Sequence, residues 1–249
     1  RKESSAASDV YKRQQLTIEL LQEKIKENNF FINFKEKIQK NISDNKISII
    51  AEVKKASPSA GIIIKNYDPI NLANKFFQNK ATCLSVLTEE DFFYGNLIHL
   101  YKVKKKINLP VLCKDFFVDP FQIPLAKSYG ADAILIILAA ITENLANKLY
   151  EDALKLNMSV IVEVHNKKEA KYSTNFDKAL IGINNRNLKT LETNINTTYD
   201  ICDILVNHKG PLISESGIKT KEDLLEIESK TKIKTFLIGE SLLKNLDKN

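Results

Sequence analysis

The sequence predicts a single α/β domain whose strands close into a (β/α)8 barrel, preceded by an N-terminal helical extension. Eight short runs rich in Ile, Leu and Val recur along the chain, and each ends on polar or small residues. Near-continuous apolar runs of this kind are typical of parallel strands covered by helices. The 249 residues suit one such domain, and the sequence has no linker rich in Gly, Pro or Ser. The predicted strands are 47–54, 83–88, 111–114, 133–138, 160–164, 180–184, 212–215 and 236–239.

The segments between these runs carry the signals of helix starts and ends. Four of them combine a capping side chain with a proline or an acid in the first turn: Asp68-Pro69, Asp119-Pro120, Asn166 with Glu169, and Thr220 with Asp223. Pro124 falls inside the third barrel helix, where we expect it to remove a hydrogen bond and to kink or delay the helix, and Gly130 marks the end of that helix. Residues 16–40 read as one or two helices. An open doubly wound sheet is the alternative, but no Gly-x-Gly-x-x-Gly follows the first run, which favours the barrel.

The two ends of the chain carry separate expectations. Residues 9–14, DVYKRQ, read as the translation of a sequencing-adapter oligonucleotide, and the single methionine is Met158. We therefore interpret residues 1–14 as a non-native leader and residues 15–249 as the barrel domain. The last predicted helix is short, so we expect it to be truncated.

Composition narrows the class of protein. The net charge is +6, but the densest basic run, 102–106, lies in a predicted helix without interleaved aromatic residues, which favours a solvated helix face over a nucleic-acid surface. The three scattered cysteines have neither a disulfide pattern nor the spacing of metal ligands. The longest apolar run, 133–141, is about half of what a membrane span needs. We expect a cytoplasmic monomer with a small-molecule substrate and without metal, membrane or nucleic-acid partners.

Polar residues close the predicted strands, and the carboxyl ends of barrel strands are where active sites form. The candidates at these ends are Glu52, Lys54, Lys114, Glu163, Asn184, Arg186, Glu215, Ser216 and Gly239. For any single lysine or glutamate, a salt bridge at the barrel rim is at least as good an explanation as catalysis. Two lysines and two or three carboxylates at one mouth favour a catalytic site, because buried like charges are costly unless they are paired or used.

Seven segments resemble the motifs of the indole-3-glycerol-phosphate synthase family, in family order and each at a strand end. They are IAEVKKASPSAG (50–61), SVLTEEDFFYG (85–95), PVLCKDFFVDPFQI (110–123), IVEVHN (161–166), IGINNRNLKTLE (181–192), ISESGIK (213–219) and FLIGESLLK (236–244). The resemblance implies a TIM barrel and a carboxy-lyase of tryptophan biosynthesis. Its substrate is 1-(2-carboxyphenylamino)-1-deoxyribulose 5-phosphate, its products are indole-3-glycerol phosphate, CO2 and water, and no cofactor is implied.

The resemblance also implies catalytic roles. An aromatic carbon attacks a ketone, so a cation that can give up a proton is needed at the ketone oxygen, and Lys114 matches this general acid. Glu163 and Lys54 match the residues of the later proton removal and dehydration. Glu52 and Asn184 are implied to orient and tune the lysines. Ser216 completes the implied catalytic set.

Binding roles follow from the same resemblance. Ser57 and Pro58 match a loop that contacts substrate, Arg186 or Lys54 is implied to hold the substrate carboxylate, and Glu215 is implied to bind substrate. The residues that match the walls around the anthranilate ring are Phe93, Phe116, Leu135 and Leu188, which would otherwise read as ordinary barrel core. The implied phosphate site comprises Ser216, Gly217, Gly239 and Glu240, where the glycines alone would read as turns.

Two alternatives remain open. Another phosphate-binding barrel, such as phosphoribosylanthranilate isomerase, would place a cysteine base at the end of the first strand, where this chain has Glu52 and Lys54 and where the first cysteine is still Cys83. A non-catalytic barrel that only binds a ligand or partner would be expected to lack a proton-transfer residue. The implied proton-transfer residues are all present, which favours the enzyme.

Overall fold

The structure, a computed structural model, describes residues 17–28 and 30–246. Eight parallel strands form a closed barrel in which each strand pairs with the next along the chain and β8 pairs with β1, so the predicted barrel is confirmed. The strands are β1 Ser48–Val53, β2 Cys83–Leu87, β3 Val111–Lys114, β4 Ala133–Ile137, β5 Ser159–Val164, β6 Leu180–Asn184, β7 Leu212–Glu215 and β8 Thr235–Ile238. A two-residue hairpin pairs Ala56–Ser57 with Gly61–Ile62 in the loop after β1.

Helices alternate with the strands and also precede them. They are α1 Ile18–Glu27, α2 Phe34–Ser43, α3 Pro69–Gln78, α4 Leu97–Lys106, α5 Gln122–Ser128, α6 Glu143–Lys155, α7 Lys167–Ser173, α8 Asn196–Cys202, α9 Lys221–Thr231 and α10 Glu240–Leu246, with short 3-10 turns at Leu138–Ala140 and Asp203–Leu205. Helices α1 and α2 are the predicted N-terminal extension. Within the described ranges, no helix is long and apolar enough to cross a membrane. The proposed leader, residues 1–14, lies outside the described residues, and the expected truncation of the last helix stays a prediction.

The helix starts follow their capping residues, with one correction. Asp68 and Asn166 cap α3 and α7 as predicted, and Thr220 forms a capping box with the acid three residues later. Helix α5, however, begins at Gln122 and not at the predicted Pro120.

The late start of α5 has a local cause. The Asp119 side chain accepts a hydrogen bond from the Phe121 backbone N–H at 2.8 Å, which closes a turn before the helix. Pro124 is then the third residue of α5, where a backbone N–H has no acceptor within the helix, so the expected loss of a hydrogen bond does not occur. The delay of the helix is what the structure shows. Gly130 follows the helix with a φ of +93°, as a residue that ends a helix does.

The second helix of the extension covers the amino ends of the strands. Phe34 and Ile38 of α2 are fully buried and belong to the same apolar cluster as the inward-facing side chains of the barrel. The Asn41 side chain donates hydrogen bonds of 3.1 Å to Ser48 and Thr82, at the starts of β1 and β2. Because α2 occupies this end, the carboxyl ends of the strands are left as the open mouth.

A buried ion pair fastens the segment between the first two helices to the barrel. Asp132, just before β4, pairs with the ammonium group of Lys104 in α4, and neither side chain is more than 3% exposed. The same carboxylate accepts the backbone N–H groups of Ile32 at 2.9 Å and Val111 at 2.8 Å. Since a buried charge without partners is strongly destabilising, this junction depends on all of its donors.

Candidate active site

A cavity of about 570 Å3 opens at the carboxyl ends of the strands. Its lining includes nearly all of the site residues that the sequence predicts: Glu52, Lys54, Ser57, Pro58, Phe93, Lys114, Phe116, Leu135, Glu163, Asn184, Arg186, Leu188, Ser216, Gly217, Gly239 and Glu240. They come from all eight strands or the loops that follow them, and the parallel barrel brings these ends together. The exception is Glu215, which lies beneath the lining and is 1% exposed.

Lys114, the last residue of β3, lies between two carboxylates. Its ammonium nitrogen is 3.5 Å from Glu52 Oε1 and 3.3 Å from Glu215 Oε2. Burial by itself lowers the pKa of Lys114, but the charges of Glu215, Glu52 and Glu163 outweigh this and raise the pKa above its usual range. Lys114 therefore carries its proton at neutral pH, as a general acid must before the reaction begins.

Glu52 and Lys54 form an ion pair at the end of β1. They are two residues apart, so their side chains leave the strand on the same face, and they contact each other with only 8% and 12% of the side chains exposed. Burial raises the pKa of Glu52, but Lys54 and Lys114 outweigh this and hold it below its usual range. Gly239 makes room for the pair, because a Cβ atom there would lie 3.0 Å from the Lys54 ammonium nitrogen and closer still to a Glu52 oxygen.

Glu215 is packed behind Lys114 and against Gly182 of β6. A Cβ atom on Gly182 would overlap one carboxylate oxygen of Glu215 and lie 3.2 Å from its Cδ. Burial and the neighbouring Glu163 raise the pKa of Glu215 to about 7 against the opposing effect of Lys114. The contact of Glu215 in this structure is with the lysine, and a direct contact with substrate stays a prediction.

Glu163 faces a histidine that the sequence reasoning did not single out. His165 follows β5, and its Nε2 lies 3.1 Å from Glu163 Oε1. Burial raises the pKa of Glu163, but His165, Lys114 and Asn184 outweigh it and lower the pKa to about 2. His165 stood inside the quoted segment IVEVHN, and its position two residues after Glu163 was a signal that it shares the same face of the strand.

Two loops meet over the cavity through Arg186. Its backbone N–H donates to Asn184 Oδ1 at 3.0 Å, and its guanidinium group donates to Ser59 Oγ at 2.7 Å. Ser59 lies in the loop after β1, beside the predicted Ser57, and was not itself predicted. The contact holds the guanidinium group at the rim, where it can receive an anionic group of a ligand.

The apolar wall is held in place by a buried acid that was also missed. Glu89, 3% exposed, accepts the backbone N–H groups of Phe92 at 2.9 Å and Phe93 at 3.0 Å. These bonds fix the turn that carries the Phe93 ring into the cavity lining. An acid that caps its own loop carries no distinctive sequence signal, since its partners are backbone groups.

The predicted phosphate end consists of backbone at the ends of β7 and β8. Ser216 and Gly217 both have positive φ angles, +68° and +80°, and Ser241 ties the start of α10 to this loop by donating to the Ile218 carbonyl at 2.9 Å. A Cβ atom on Gly217 would lie 2.6 Å from Thr193 Cγ2, so the close approach of the two loops requires a glycine. Backbone N–H groups at such turns are suited to binding an anion.

A closed (β/α)8 barrel whose mouth holds paired lysines and carboxylates belongs to the class of barrel enzymes that act by proton transfer at the strand ends. The sequence model for "Indole-3-glycerol phosphate synthase" matches residues 3–249. The chain is 40% identical over 214 residues to the indole-3-glycerol phosphate synthase of Bordetella pertussis, covering 86% of this chain and 81% of the relative. The synthase of Polynucleobacter asymbioticus is 41% identical over the same length, with 86% and 79% covered. The chain belongs to the indole-3-glycerol phosphate synthase family.

More distant solved structures share the fold alone. A protein of Aquifex aeolicus superposes with a TM-score of 0.62 at 14% identity, covering 85% of this chain and 90% of its own. A phosphoribosylanthranilate isomerase of Thermotoga maritima superposes with a TM-score of 0.55 at 10% identity, with 78% and 88% covered. Both are barrels, and their likeness adds nothing on function.

Proposed function

We propose that this chain catalyses the indole-3-glycerol-phosphate synthase reaction, in which 1-(2-carboxyphenylamino)-1-deoxyribulose 5-phosphate closes its ring and loses CO2 and water. The observation that carries the proposal is the charged Lys114, held between Glu52 and Glu215 at the floor of a cavity with one apolar wall. Membership of the family and the names of the relatives support it.

Ring closure needs a proton donor at the ketone oxygen. As the aromatic carbon attacks, the C–O π bond breaks and negative charge collects on that oxygen, which Lys114 neutralises by donating a proton. The positive charge left on the ring system accepts the electron pair of the breaking C–C bond when CO2 departs. Because Glu52 and Glu215 raise the pKa of Lys114, the lysine is protonated before the reaction begins. After it has donated its proton, the same carboxylates favour its return to the ammonium form.

The cavity offers a separate partner for each part of the substrate. Phe93, Phe116, Leu135 and Leu188 would enclose the anthranilate ring, and burial of aromatic surface there favours binding. Arg186 or Lys54, both of which line the cavity, would hold the carboxylate through charge-assisted hydrogen bonds. The backbone around Gly217 and Gly239, with Ser216 and Glu240, would receive the phosphate. Ser57 and Pro58 would cover the bound substrate from the loop after β1.

Dehydration then requires a base and an acid. Glu163, whose pKa is lowered to about 2, takes the proton from carbon, and Lys54 donates a proton to the departing hydroxyl so that it leaves as water. Asn184, close to Glu163, orients the carboxylate for this step.

The test is a fluorescence assay for the formation of the indole ring, run beside an assay with phosphoribosylanthranilate. We expect turnover of the first substrate and none of the second; the reverse pattern would overturn the proposal.

Lys114→Met keeps the volume of the stem but removes the donor, so kcat should fall by about three orders of magnitude with a far smaller change in KM. Lys55→Met is the matched control, because Lys55 contacts the Tyr94 ring at 5.7 Å rather than the cavity, and kcat should stay within about twofold.

The remaining expectations are also proposals. We infer that the enzyme acts as a monomer in the cytoplasm, which light scattering during size-exclusion chromatography tests by giving the mass of one chain or of two. We also infer that residues 1–14 are a leader outside the barrel domain. A variant that lacks them should keep both kcat and KM, and a loss of activity would assign them to the enzyme.

A further inference from the structure

His165 occupies a position between two acids at the mouth of the barrel. Its Nε2 lies 3.1 Å from Glu163 Oε1, and its Nδ1 lies 3.2 Å from Glu169 Oε2. The side chain is 10% exposed, so neither contact is strongly screened by water. The Nδ1 contact is a hydrogen bond, whereas the Nε2 contact is close enough for an ion pair but lacks hydrogen-bond alignment. A neutral imidazole has one N–H and one lone pair, so one of its nitrogens would face a carboxylate with a lone pair, while the imidazolium ion is attracted to both acids.

Glu169 is itself fixed as a carboxylate. It is the third residue of α7 and accepts the His165 backbone N–H at 2.8 Å, and the Asn166 side chain donates to its other oxygen. A negative charge in the first turn of a helix is stabilised by the unpaired N–H groups there. Burial raises the pKa of Glu169, but the contacts with His165 outweigh it and lower the pKa.

Glu163 needs a second cation to stay ionised. From the barrel side it faces Lys114 of β3, Glu215 of β7 and Asn184 of β6. The single charge of Lys114 is shared among Glu163, Glu52 and Glu215. Lys54 offsets part of this demand at Glu52, but burial and Glu163 still raise the pKa of Glu215 to about 7, so the cations on the barrel side do not satisfy all three carboxylates. His165 supplies the charge that leaves Glu163 deprotonated.

We propose that His165 is a positioning residue that remains an imidazolium ion, orients the Glu163 carboxylate and keeps it free of protons for its role as a base. This inference rests on the proposed function and deepens it. In the dehydration step the C–H bond breaks, its proton goes to Glu163, the electron pair forms the C=C bond, and the hydroxyl leaves with a proton from Lys54. A Glu163 that was already protonated could not accept that proton, so the step depends on its neighbour.

The charge of His165 can be measured without any turnover. The chain contains three histidines, so a protein labelled with 15N in histidine gives three imidazole signals. Burial lowers the pKa of His99 and of His208, whereas the two carboxylates raise the pKa of His165 to about 10 despite its burial. At pH 8 we expect one doubly protonated ring, and His165→Gln should remove that signal. Three neutral rings at pH 8 would overturn the proposal.

The functional consequence is tested by the pH profile of His165→Gln. With its second cation gone, Glu163 has a higher pKa, and its ionised fraction falls about tenfold for each pH unit below that pKa. We expect kcat/KM of the variant relative to the unaltered enzyme to be about threefold lower at pH 8.5 and at least about tenfold lower again at pH 5.5. Taking the ratio removes the titration of the substrate phosphate, which both proteins share.

Thr142→Ala is the matched control for stability. Thr142 caps α6 away from the cavity, so its loss lowers the melting temperature and should leave the pH profile unchanged. A His165→Gln profile parallel to that of the unaltered enzyme would reduce His165 to a structural residue and overturn the proposal. Absence of indole formation by the unaltered protein would overturn the proposed function instead, while the NMR signal would still decide the charge of His165.

Discussion

Replacing Lys104 by methionine leaves the Asp132 carboxylate buried without its cation, and the structure sets the size of the effect. Removing one partner of a buried ion pair costs about 3–5 kcal/mol. Two backbone donors, from Ile32 and Val111, still serve Asp132, which places the loss toward the lower end. An upper limit comes from protonation: taking a carboxyl of ordinary pKa 3.8 to its neutral form at pH 7 costs about 4 kcal/mol. We expect a loss of about 3–4 kcal/mol, or about 6–16 °C in melting temperature.

Because protonation of Asp132 sets the upper limit, the loss of unfolding free energy in Lys104→Met depends on pH. Burial already raises the pKa of Asp132 in the folded protein, and in Lys104→Met, without the opposing charge of Lys104, this pKa rises further, so over a wider pH range the folded variant binds a proton that the unfolded chain releases. The stability of the variant is therefore greatest below the unfolded pKa and falls as pH rises toward the folded pKa. At pH 5 protonation costs only about 2 kcal/mol, and the loss relative to the unaltered protein shrinks to that value.

Urea unfolding followed by circular dichroism at pH 5 and pH 7 measures both effects. Lys106→Met is the matched control, because Lys106 ends the same helix with an exposed side chain, and its loss should stay within about 0.5 kcal/mol. Asp132→Asn in the Lys104→Met background should recover part of the loss at pH 7. A loss below about 1 kcal/mol, or equal losses at the two pH values, would refute the reasoning.

Three further predictions concern the site. Gly182→Ala places a methyl group on the Glu215 carboxylate and should lower kcat more than tenfold by displacing the partner of Lys114, while a Gly182→Ala enzyme of normal kcat would show that Glu215 can relocate freely. Gly239→Val crowds Glu52 as well as the predicted phosphate site, so steady-state kinetics should show a higher KM and a lower kcat together, not KM alone. Glu215 has a folded pKa of about 7, above its unfolded value, so unfolding free energy should fall between pH 4.5 and 7 by about 3 kcal/mol, and urea titrations of Glu215→Gln should lack this slope.

The fold could be predicted from the sequence because its signals are local. An apolar run followed by a polar residue predicts the end of a strand, and Asp68 before a proline predicts the start of a helix, whatever the rest of the chain does. The structure confirms the eight strands and most helix starts. The start of α5 was missed because two signals competed: Asp119 and Pro120 favour an early start, while Pro124 is tolerated only in the first turn. The position of Pro124 within the helix decides between the two starts, because a proline fits in the first turn of a helix and not beyond it.

The pKa shifts and ion pairs of the site could not be predicted from local sequence patterns. The direction in which the pKa of Lys114 moves depends on contacts with Glu52 and Glu215, which lie far from Lys114 in the sequence. The same holds for Ser59, whose contact with Arg186 joins two loops. His165 was overlooked for a different reason: histidine has no fixed charge, and only its position between two acids gives it one.

The charges around the mouth alternate in sign from one neighbour to the next. In order they are Glu169, His165, Glu163, Lys114, Glu52 and Lys54. Because His165 and Lys114 each serve more than one acid, altering one member changes the electrostatic environment of its neighbours, and we expect a single substitution in the series to change activity. The apolar side chains of the cavity wall, such as Phe93 and Leu188, carry no charge. Redesign toward a larger or smaller aromatic substrate should therefore proceed through that wall, where changes of shape leave the proton chemistry intact.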